Sequence, residues 1–462
     1  MTNGLHEECG VFGVYAEKSA PVAEMVYLGL YALQHRGQES CGIVVSRDGR
    51  FYSHKDLGLV HEVFPPAAMA AFPDGTMAVG HVRYSTTGGL TRANCQPMEV
   101  YHRGQPMALA HNGNLSNAAE LRRALEMDGA IFHSTSDTEV IAYLFTRARM
   151  TSSTLAEAVR KTMQQLDGAY SLLFMCADCL IAVRDPHGFR PLCLGRTENG
   201  AYIVASETCA LQAVGATPER DIAPGEILIL DQTGMRSERT PAAEPIHPCI
   251  FEYIYFARPD STIDGVSVHA ARLRAGALLA QAHPVEADVV IGVPDSGLDA
   301  ALGYANASGI PYGIGFTKNK YIGRTFIEPT PGERVNLVQI KLNPIRETVA
   351  GKRVVLVDDS LVRGTTSRQI VRLLRDAGAT EIHLRVSAPP FRNPCYYGTD
   401  IDSRDHLIAC HYSIAEIADQ VGADSLGYLP VEALCELIGS SHYCAACFTG
   451  EYPTSVPENN GR

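Results

Sequence analysis

Val354-Val355-Leu356-Val357 is an unbroken apolar run, and it is followed at once by Asp358-Asp359-Ser360-Leu361-Val362-Arg363-Gly364-Thr365-Thr366-Ser367. A short run of β-branched and apolar residues reads as a strand buried on both faces. Beyond it Ile370, Val371, Leu373, Leu374 and Ala377 recur at helical spacing, and Gly378 stops the helix. Strand, polar loop and helix in this order place the loop at the carboxyl end of a strand. Open α/β sheets bind their ligands there. Gly364 lets backbone approach a ligand closely. The first N–H groups of the helix lack intrahelical partners and carry partial positive charge, which suits a phosphate. Thr365, Thr366 and Ser367 add hydroxyl donors. Asp358 and Asp359 can accept from sugar hydroxyls or hold Mg²⁺ through oxygen.

The whole string resembles the diphosphate-sugar loop of the type I phosphoribosyltransferases, which bind phosphoribosyl diphosphate (PRPP). The resemblance implies a PRPP site at Asp358, Asp359, Ser360, Arg363, Gly364, Thr365, Thr366 and Ser367. Upstream, Val289-Val290-Ile291-Gly292-Val293-Pro294 reads as a strand and Asp295-Ser296-Gly297 as a turn before a helix. In the same resemblance this turn faces the diphosphate, and Ser296 joins Asp358 and Asp359 around Mg²⁺. A basic stretch with glycines and prolines runs from Lys318 through Arg324 and Arg334 to Lys341. It reads as a lid whose cations, Lys318 among them, meet phosphates.

Composition narrows the remaining choices. The chain has 462 residues, 46% hydrophobic and 19% charged, enough for two or more cores. A net charge of -12 disfavours non-specific binding to nucleic acid or to anionic membrane. No apolar run approaches a membrane span, and the N-terminus lacks the apolar core of a secretory signal. Thirteen cysteines without an export signal point to a reducing, cytoplasmic compartment and to thiols or metal ligands, not a disulfide framework.

The first half reads differently. Cys9-Gly10-Val11-Phe12-Gly13-Val14-Tyr15 is a strand, while residues 81–86 and 111–115 read as polar loops after apolar strands. Ser136-Asp137-Thr138-Glu139 has capping-box spacing at the start of a helix. Residues 169–195 read as β-hairpins, with Cys176 and Cys179 as core neighbours across a turn. Residues 236–248 read as a linker, after which strands alternate with helices as in a parallel sheet. The N-terminal segments resemble the glutaminase domain of the N-terminal-nucleophile (Ntn), or class II, glutamine amidotransferases. That resemblance implies an Ntn αββα sandwich followed by a type I phosphoribosyltransferase domain with a mainly parallel sheet, hence an α+β half and an α/β half. It implies that residues 1–8 are a propeptide, 9–239 the amidotransferase domain and 240–462 the phosphoribosyltransferase domain with a C-terminal cluster-binding segment.

The roles follow family order. Cys9 would be the nucleophile once its own α-amine, titrating near pH 8, is free to act as base. Arg83 would grip the glutamine α-carboxylate and Asp137 the α-ammonium. The Asn112 side chain and the Gly113 N–H would form the oxyanion hole. The segments of Cys249, Cys395 and the pair Cys444/Cys447 resemble those that hold a [4Fe–4S] cluster in some amidophosphoribosyltransferases, and four thiols suit tetrahedral zinc as well. Together the two halves resemble the amidophosphoribosyltransferases of the iron–sulfur, propeptide-containing type. That family aminates PRPP with glutamine to give 5-phosphoribosylamine, the first committed step of purine synthesis. It implies glutamine and PRPP as substrates, Mg²⁺ and [4Fe–4S] as cofactors, purine nucleotides as feedback inhibitors and a homotetramer. Two alternatives share only part of this pattern. A sugar-phosphate aminating amidotransferase would lack the string at 354–367. A PRPP-sensing DNA regulator would leave the glutaminase residues unexplained.

Overall fold

The computed structural model describes residues 9–84, 89–319, 342–401 and 403–456. The strands of the first half are β1 (Gly10–Ala20), β2 (Ser40–Arg47), β3 (Arg50–Leu57), β4 (Gly75–Arg83), β5 (Met98–His102), β6 (Gln105–Leu115), β7 (Gly168–Met175), β8 (Cys179–Arg184), β9 (Cys193–Thr197), β10 (Tyr202–Ala205), β11 (Ala216–Asp221), β12 (Glu226–Asp231) and β13 (Gly234–Arg239). They form two sheets, one ordered β11-β9-β10-β1-β4-β2-β3 and the other β13-β12-β8-β7-β6-β5. The pairings are antiparallel, as in β1 with β4 and β6 with β7.

Alternation along each strand builds the layers. On β1, Val11 and Tyr15 join Leu173, Leu180 and Val204 in the core between the sheets. The intervening Phe12 and Val14 pack outward with Val26 and Leu30 of the helix Val22–Ala32. On β7, Leu173 and Met175 face the other sheet. Tyr170, Leu172 and Phe174 face Val140, Phe145 and Val159 of the helices Asp137–Met150 and Leu155–Met163. A strand buried on both faces needs a layer on each side, and the result is helix, sheet, sheet, helix. Each fully buried side chain of this kind contributes about 1.5–3 kcal/mol.

β13 stays paired to β12 as far as Arg239, so the irregular connection begins at Thr240 and not at Arg236. The second half begins with a short wide-turn helix, Glu252–Phe256, whose Glu252 carbonyl accepts from the Ala257 N–H five residues on. Next comes the small hairpin β14 (Thr262–Ile263) and β15 (Val266–Ser267), then the helix Val268–Ala282 and β16 (Val289–Gly292). The hairpin β17 (Phe316–Lys318) and β18 (Leu342–Pro344) follows, then β19 (Arg353–Asp358), β20 (Glu381–Val386) and β21 (Ser425–Tyr428). β16, β19, β20 and β21 form one parallel sheet in that order. Val354, Val355, Leu356 and Val357 are all buried in its centre, in the core expected of an unbroken apolar strand.

Two polar stretches expected as loops are strand instead. His81 and Arg83 lie within β4, and residues 111–115 complete β6, where Asn112 pairs with Ser171 and Gly113 with Tyr170. Backbone pairing accounts for their N–H and C=O groups, and this frees polar side chains to line a cleft. The expected capping box is also modified. Ser136 caps the helix Asp137–Met150 through the Thr138 N–H, but Glu139 turns away to the His133 and Ser134 N–H groups.

Candidate functional sites

Cys9 stands one residue before β1 and is buried. Its thiol points to the Tyr84 carbonyl at 3.5 Å. β4 is the neighbour of β1, with Gly10 opposite Val82, which brings Arg83 to the same end of the sheet. From the facing sheet β6 contributes His111 and Gly113, and the N-terminus of the helix Asp137–Met150 contributes Ser136 and Asp137. Cys9, Arg83, Tyr84, Gln96, His111, Gly113, Ser136 and Asp137 line one small cleft. The expected nucleophile and both expected glutamine contacts therefore meet.

The electrostatics of the cleft are built, not incidental. Burial opposes ionisation of Asp137, yet His111, the Leu115 N–H and Arg83 together hold its carboxyl below the ordinary carboxylate value. The Leu115 N–H donates to Asp137 Oδ2 at 3.1 Å, and His111 Nδ1 lies 3.4 Å from Oδ1. His111 is fixed in turn by its own N–H on Gln96 Oε1 at 2.7 Å. His81 Nε2 lies 2.9 Å from the His111 carbonyl, and burial lowers the pKa of His81 to about 3. A charged carboxylate beside a guanidinium matches the zwitterionic head of an amino acid.

The two oxyanion candidates are placed differently. Gly113 lies in the cleft with φ +138°, and a Cβ there would sit 2.2 Å from the Ala169 carbonyl oxygen. Asn112, its neighbour on the strand, is fully buried and is not among the residues lining the cleft, and its Nδ2 donates to Ser206 Oγ at 3.4 Å. His111, His81 and Gln96 were not singled out as site residues from sequence. The His-Asn-Gly and His-Val-Arg strings held the signal, because a polar side chain on every second residue of a strand faces one side.

The second site lies at the carboxyl end of the parallel sheet. Asp358 ends β19, and Asp359 accepts from Ser296 of the turn after β16 and from Ser360. The Asp359 N–H donates back to Asp358 Oδ1 at 3.0 Å. Burial and the neighbouring Asp359 charge push the Asp358 carboxyl well up, and burial raises Asp359. Two buried carboxylates with a hydroxyl form an oxygen donor set suited to a divalent cation. Among the described residues no group of three or more His, Cys, Asp or Glu side chains is arranged to hold a metal ion. Mg²⁺ typically takes one or two carboxylates and completes its shell with substrate phosphates and water, so the set fits it. Gly364, φ +77°, turns the chain into the helix Thr365–Asp376, with Thr365, Thr366 and Ser367 in its first turn. Lys318, on β17, pairs with Asp295 beside Ser296. The rest of the expected lid, residues 320–341, lies outside the described residues.

The four cysteines expected to share a group approach one another at the junction of the halves. Cys249 and Cys444 form an isolated parallel bridge, and the Ile250 N–H donates to the Cys444 carbonyl at 3.1 Å. The Tyr397 N–H donates to Cys395 Sγ at 3.4 Å. Burial, then Cys395, Cys249 and Cys444, push the Cys447 thiol well above its ordinary value. Burial brings Cys444 to about 12, with Cys395 adding to it. Four soft sulfur donors suit an iron–sulfur group in their chemistry, but among the described residues they are not gathered into a group arranged to hold a metal ion. Cys176 and Cys179 stay in the core as hairpin neighbours.

Comparison with known proteins agrees with both halves. Residues 81–213 match the glutamine amidotransferase domain family and residues 268–425 the phosphoribosyl transferase domain family. A relative from Bacillus subtilis named amidophosphoribosyltransferase is 49% identical over 460 residues, covering 98% of this chain and 95% of its own. One of the same name from Methanocaldococcus jannaschii is 50% identical over 463 residues, covering 97% and 98%. A solved structure of an allosteric regulatory enzyme of purine biosynthesis superposes with a TM-score of 0.91, at 48% identity and 98% coverage of both chains. The glutamine PRPP amidotransferase of B. subtilis complexed with ADP and GMP gives 0.89, at the same identity and coverage.

Proposed function

This chain belongs to the amidophosphoribosyltransferase family, and from that premise we propose how its residues divide the work. The enzyme transfers the amide nitrogen of glutamine to C1 of PRPP, yielding 5-phosphoribosylamine, glutamate and diphosphate, the first committed step of purine synthesis. The observation that carries our assignment is the meeting of Cys9, Arg83 and Asp137 in one cleft, together with the Asp358–Asp359 pair against Ser296.

In the first half-reaction the Cys9 thiolate attacks the glutamine amide carbon. Arg83 binds the α-carboxylate and Asp137 the α-ammonium. The Gly113 N–H and the Asn112 amide stabilise the oxyanion, for which Asn112 must turn from Ser206. Ammonia leaves, and water releases glutamate from the thioester. The base is the α-amine of Cys9, which requires removal of residues 1–8. On this reading 9–239 is the glutaminase domain and 240–462 the transferase domain.

In the second half-reaction ammonia attacks C1 as diphosphate departs. Asp358 and Asp359 orient the ribose hydroxyls. Residues Arg363, Gly364, Thr365, Thr366 and Ser367, with Ser360, cradle the 5′-phosphate at the helix N-terminus. Lys318 leaves Asp295 for the leaving phosphates. Asp358, Asp359 and Ser296 would hold Mg²⁺, which supplies positive charge against the departing diphosphate.

Cys249, Cys395, Cys444 and Cys447 would hold a [4Fe–4S] cluster that ties the C-terminus to the domain junction. Tetrahedral zinc would suit the same four thiols, and the cluster is the reading we adopt from the resemblance to the iron–sulfur type. Purine nucleotides, as carried by the B. subtilis relative, are the expected inhibitors, in a cytoplasmic homotetramer. Among the described residues no helix is long and apolar enough to cross a membrane.

The test is diphosphate release from PRPP and Mg²⁺ with glutamine or ammonium as donor, in the parent and in Cys9→Ala. The parent should use both donors and Cys9→Ala ammonium alone. Glutamine use by Cys9→Ala would sink the nucleophile assignment.

A further inference from the structure

Cys9 lies just outside the β1–β4 ladder, which begins at the Gly10–Val82 pair. Ladder hydrogen bonds therefore do not set the plane of the Cys9 carbonyl. Arg36 grips that carbonyl instead, its Nε donating to the Cys9 oxygen at 3.1 Å. The same guanidinium donates from Nη1 to Glu207 Oε1 and from Nη2 to Glu252 Oε1, each at 2.5 Å. Glu207 is further held by His35 at 2.7 Å, by the Arg258 N–H at 2.9 Å and by the Ser261 hydroxyl at 2.7 Å.

Glu252 comes from the other half of the molecule. It opens the wide-turn helix Glu252–Phe256, and three carbonyls in and just after that turn accept from a single side chain. Arg272, on the helix Val268–Ala282, donates to the Tyr253, Tyr255 and Ala257 carbonyls at 3.0, 2.9 and 2.6 Å. Glu252 Oε1 also accepts from Arg190 Nη1 at 3.2 Å. Arg190 donates in turn to the Tyr397 carbonyl at 3.1 and 2.6 Å, two residues past Cys395. Glu252 is 1% exposed, and its Oε2 has no hydrogen-bond partner among the described residues. Arg36 and Arg190 are buried as deeply.

We propose that Glu252 is a positioning residue for glutamine hydrolysis: delivered by the transferase half, it locks Arg36 onto the Cys9 carbonyl and so aims the Cys9 thiol into the cleft. The arrangement rests on the assignment of Cys9 as nucleophile. Its logic is charge and reach. Two buried guanidiniums converge on one oxygen, and a neutral side chain of the same shape removes the charge that both of them share. Arg36 then relaxes toward Glu207 and releases Cys9. The nucleophile is thereby aimed only when the transferase half is docked and the segment carrying Cys395 is in place. Glu252 itself makes no hydrogen bond to a residue of the PRPP site, and Arg272, whose charge favours the ionised Asp359 carboxyl, is left in place.

The experiment compares the parent, Glu252→Gln and Glu252→Asp as holoenzymes. It measures kcat and KM with glutamine, kcat with ammonium, and the rate at which iodoacetamide alkylates Cys9, read by peptide mass. Glu252→Gln should lose about tenfold or more in glutamine-dependent kcat and a similar factor in alkylation rate, with the glutamine KM little changed because Arg83 and Asp137 remain. Ammonia-dependent kcat should stay within about twofold. Glu252→Asp keeps the charge on a shorter stem and should recover part of both lost rates. It also supplies a folded variant if Glu252→Gln does not accumulate. Parallel loss of both activities in Glu252→Asp, or unchanged alkylation in either folded variant, overturns the proposal. Cys9→Ala runs alongside. If it still hydrolyses glutamine, the nucleophile assignment fails on its own, independently of Glu252.

Discussion

His81 shows how one buried side chain ties stability to pH. Burial, opposed only in part by its contact with the His111 carbonyl, lowers its pKa to about 3. In an unfolded chain the same imidazole titrates near 6.5. Between those values the unfolded state holds a proton that the folded state refuses, so stability falls as pH drops, by about 1.4 kcal/mol per unit from this group. Asp185 and Asp221 work the other way. Burial raises both to about 6, so the folded chain takes up their protons first and gains stability as pH falls below that value. The comparison must therefore be of slopes. Urea midpoints between pH 7.5 and 5.5 should fall less steeply in His81→Gln than in the parent, and equal slopes would contradict the assignment. Other residues were legible from the segments that carry them. The Asp358–Asp359 pair stood out within its string, whereas Cys9 and Arg83 each read as ordinary alone and were legible only jointly, in the order of the segments around them. Arg36, Glu252 and Arg190 were not legible at all. They lie far apart in the chain, and each alone reads as an ordinary surface charge until the fold buries them together.

At the scale of elements, the helix Thr365–Asp376 depends on how it is entered. Gly364 takes φ +77° at its N-cap, and a Cβ there would stand 2.9 Å from Ile408 Cδ1. Gly364→Ala should cost about 1–2 kcal/mol, the ordinary cost of a left-handed non-glycine residue. It should also raise the KM for PRPP several-fold by tilting the amides that meet the 5′-phosphate, and an unchanged KM would place the phosphate elsewhere. This strand–loop–helix was readable because every local preference in it agrees: apolar run, acid pair, glycine, helical spacing. The ends of β4 and β6 were not. Polar residues at a strand terminus mimic a loop when only hydrophobicity is weighed, and it is the pairing of β6 with β7 that settles them. The capping pattern at Ser136 misled in the same way. Glu139 has the right spacing but finds nearer donors at His133 and Ser134.

For the whole molecule, the junction decides whether two sites act as one enzyme. Arg184 donates to Asp264 at 2.7 and 2.8 Å, Asn114 to the Tyr396 carbonyl at 2.9 Å, and the Cys249 N–H to the Phe189 carbonyl at 3.1 Å. The cysteine quartet lies within this seam. Protein purified without oxygen should carry about four iron and four labile sulfide per chain. Cys447→Ser should lower both contents and expose the C-terminal segment to protease at neutral pH. Zinc at one equivalent, with no sulfide, would overturn the cluster assignment. The two-part architecture was legible because each half has its own periodicity. The seam was not, because none of its contacts is local.

The place of β1 also sets the order in which this protein can be made. It is an interior strand, flanked on one side by β4 and on the other by β10, where Phe12 lies opposite Ala205. During synthesis β1 must therefore wait for a partner roughly 190 residues downstream. At about 5–20 residues per second that delay is on the order of 10–40 s. During it Val11, Phe12 and Val14 have an open edge, and the cysteine that precedes them has no finished cleft around it. On the reading of Cys9 as nucleophile, its thiol stays idle through synthesis until the sheet that houses it is closed and residues 1–8 are removed.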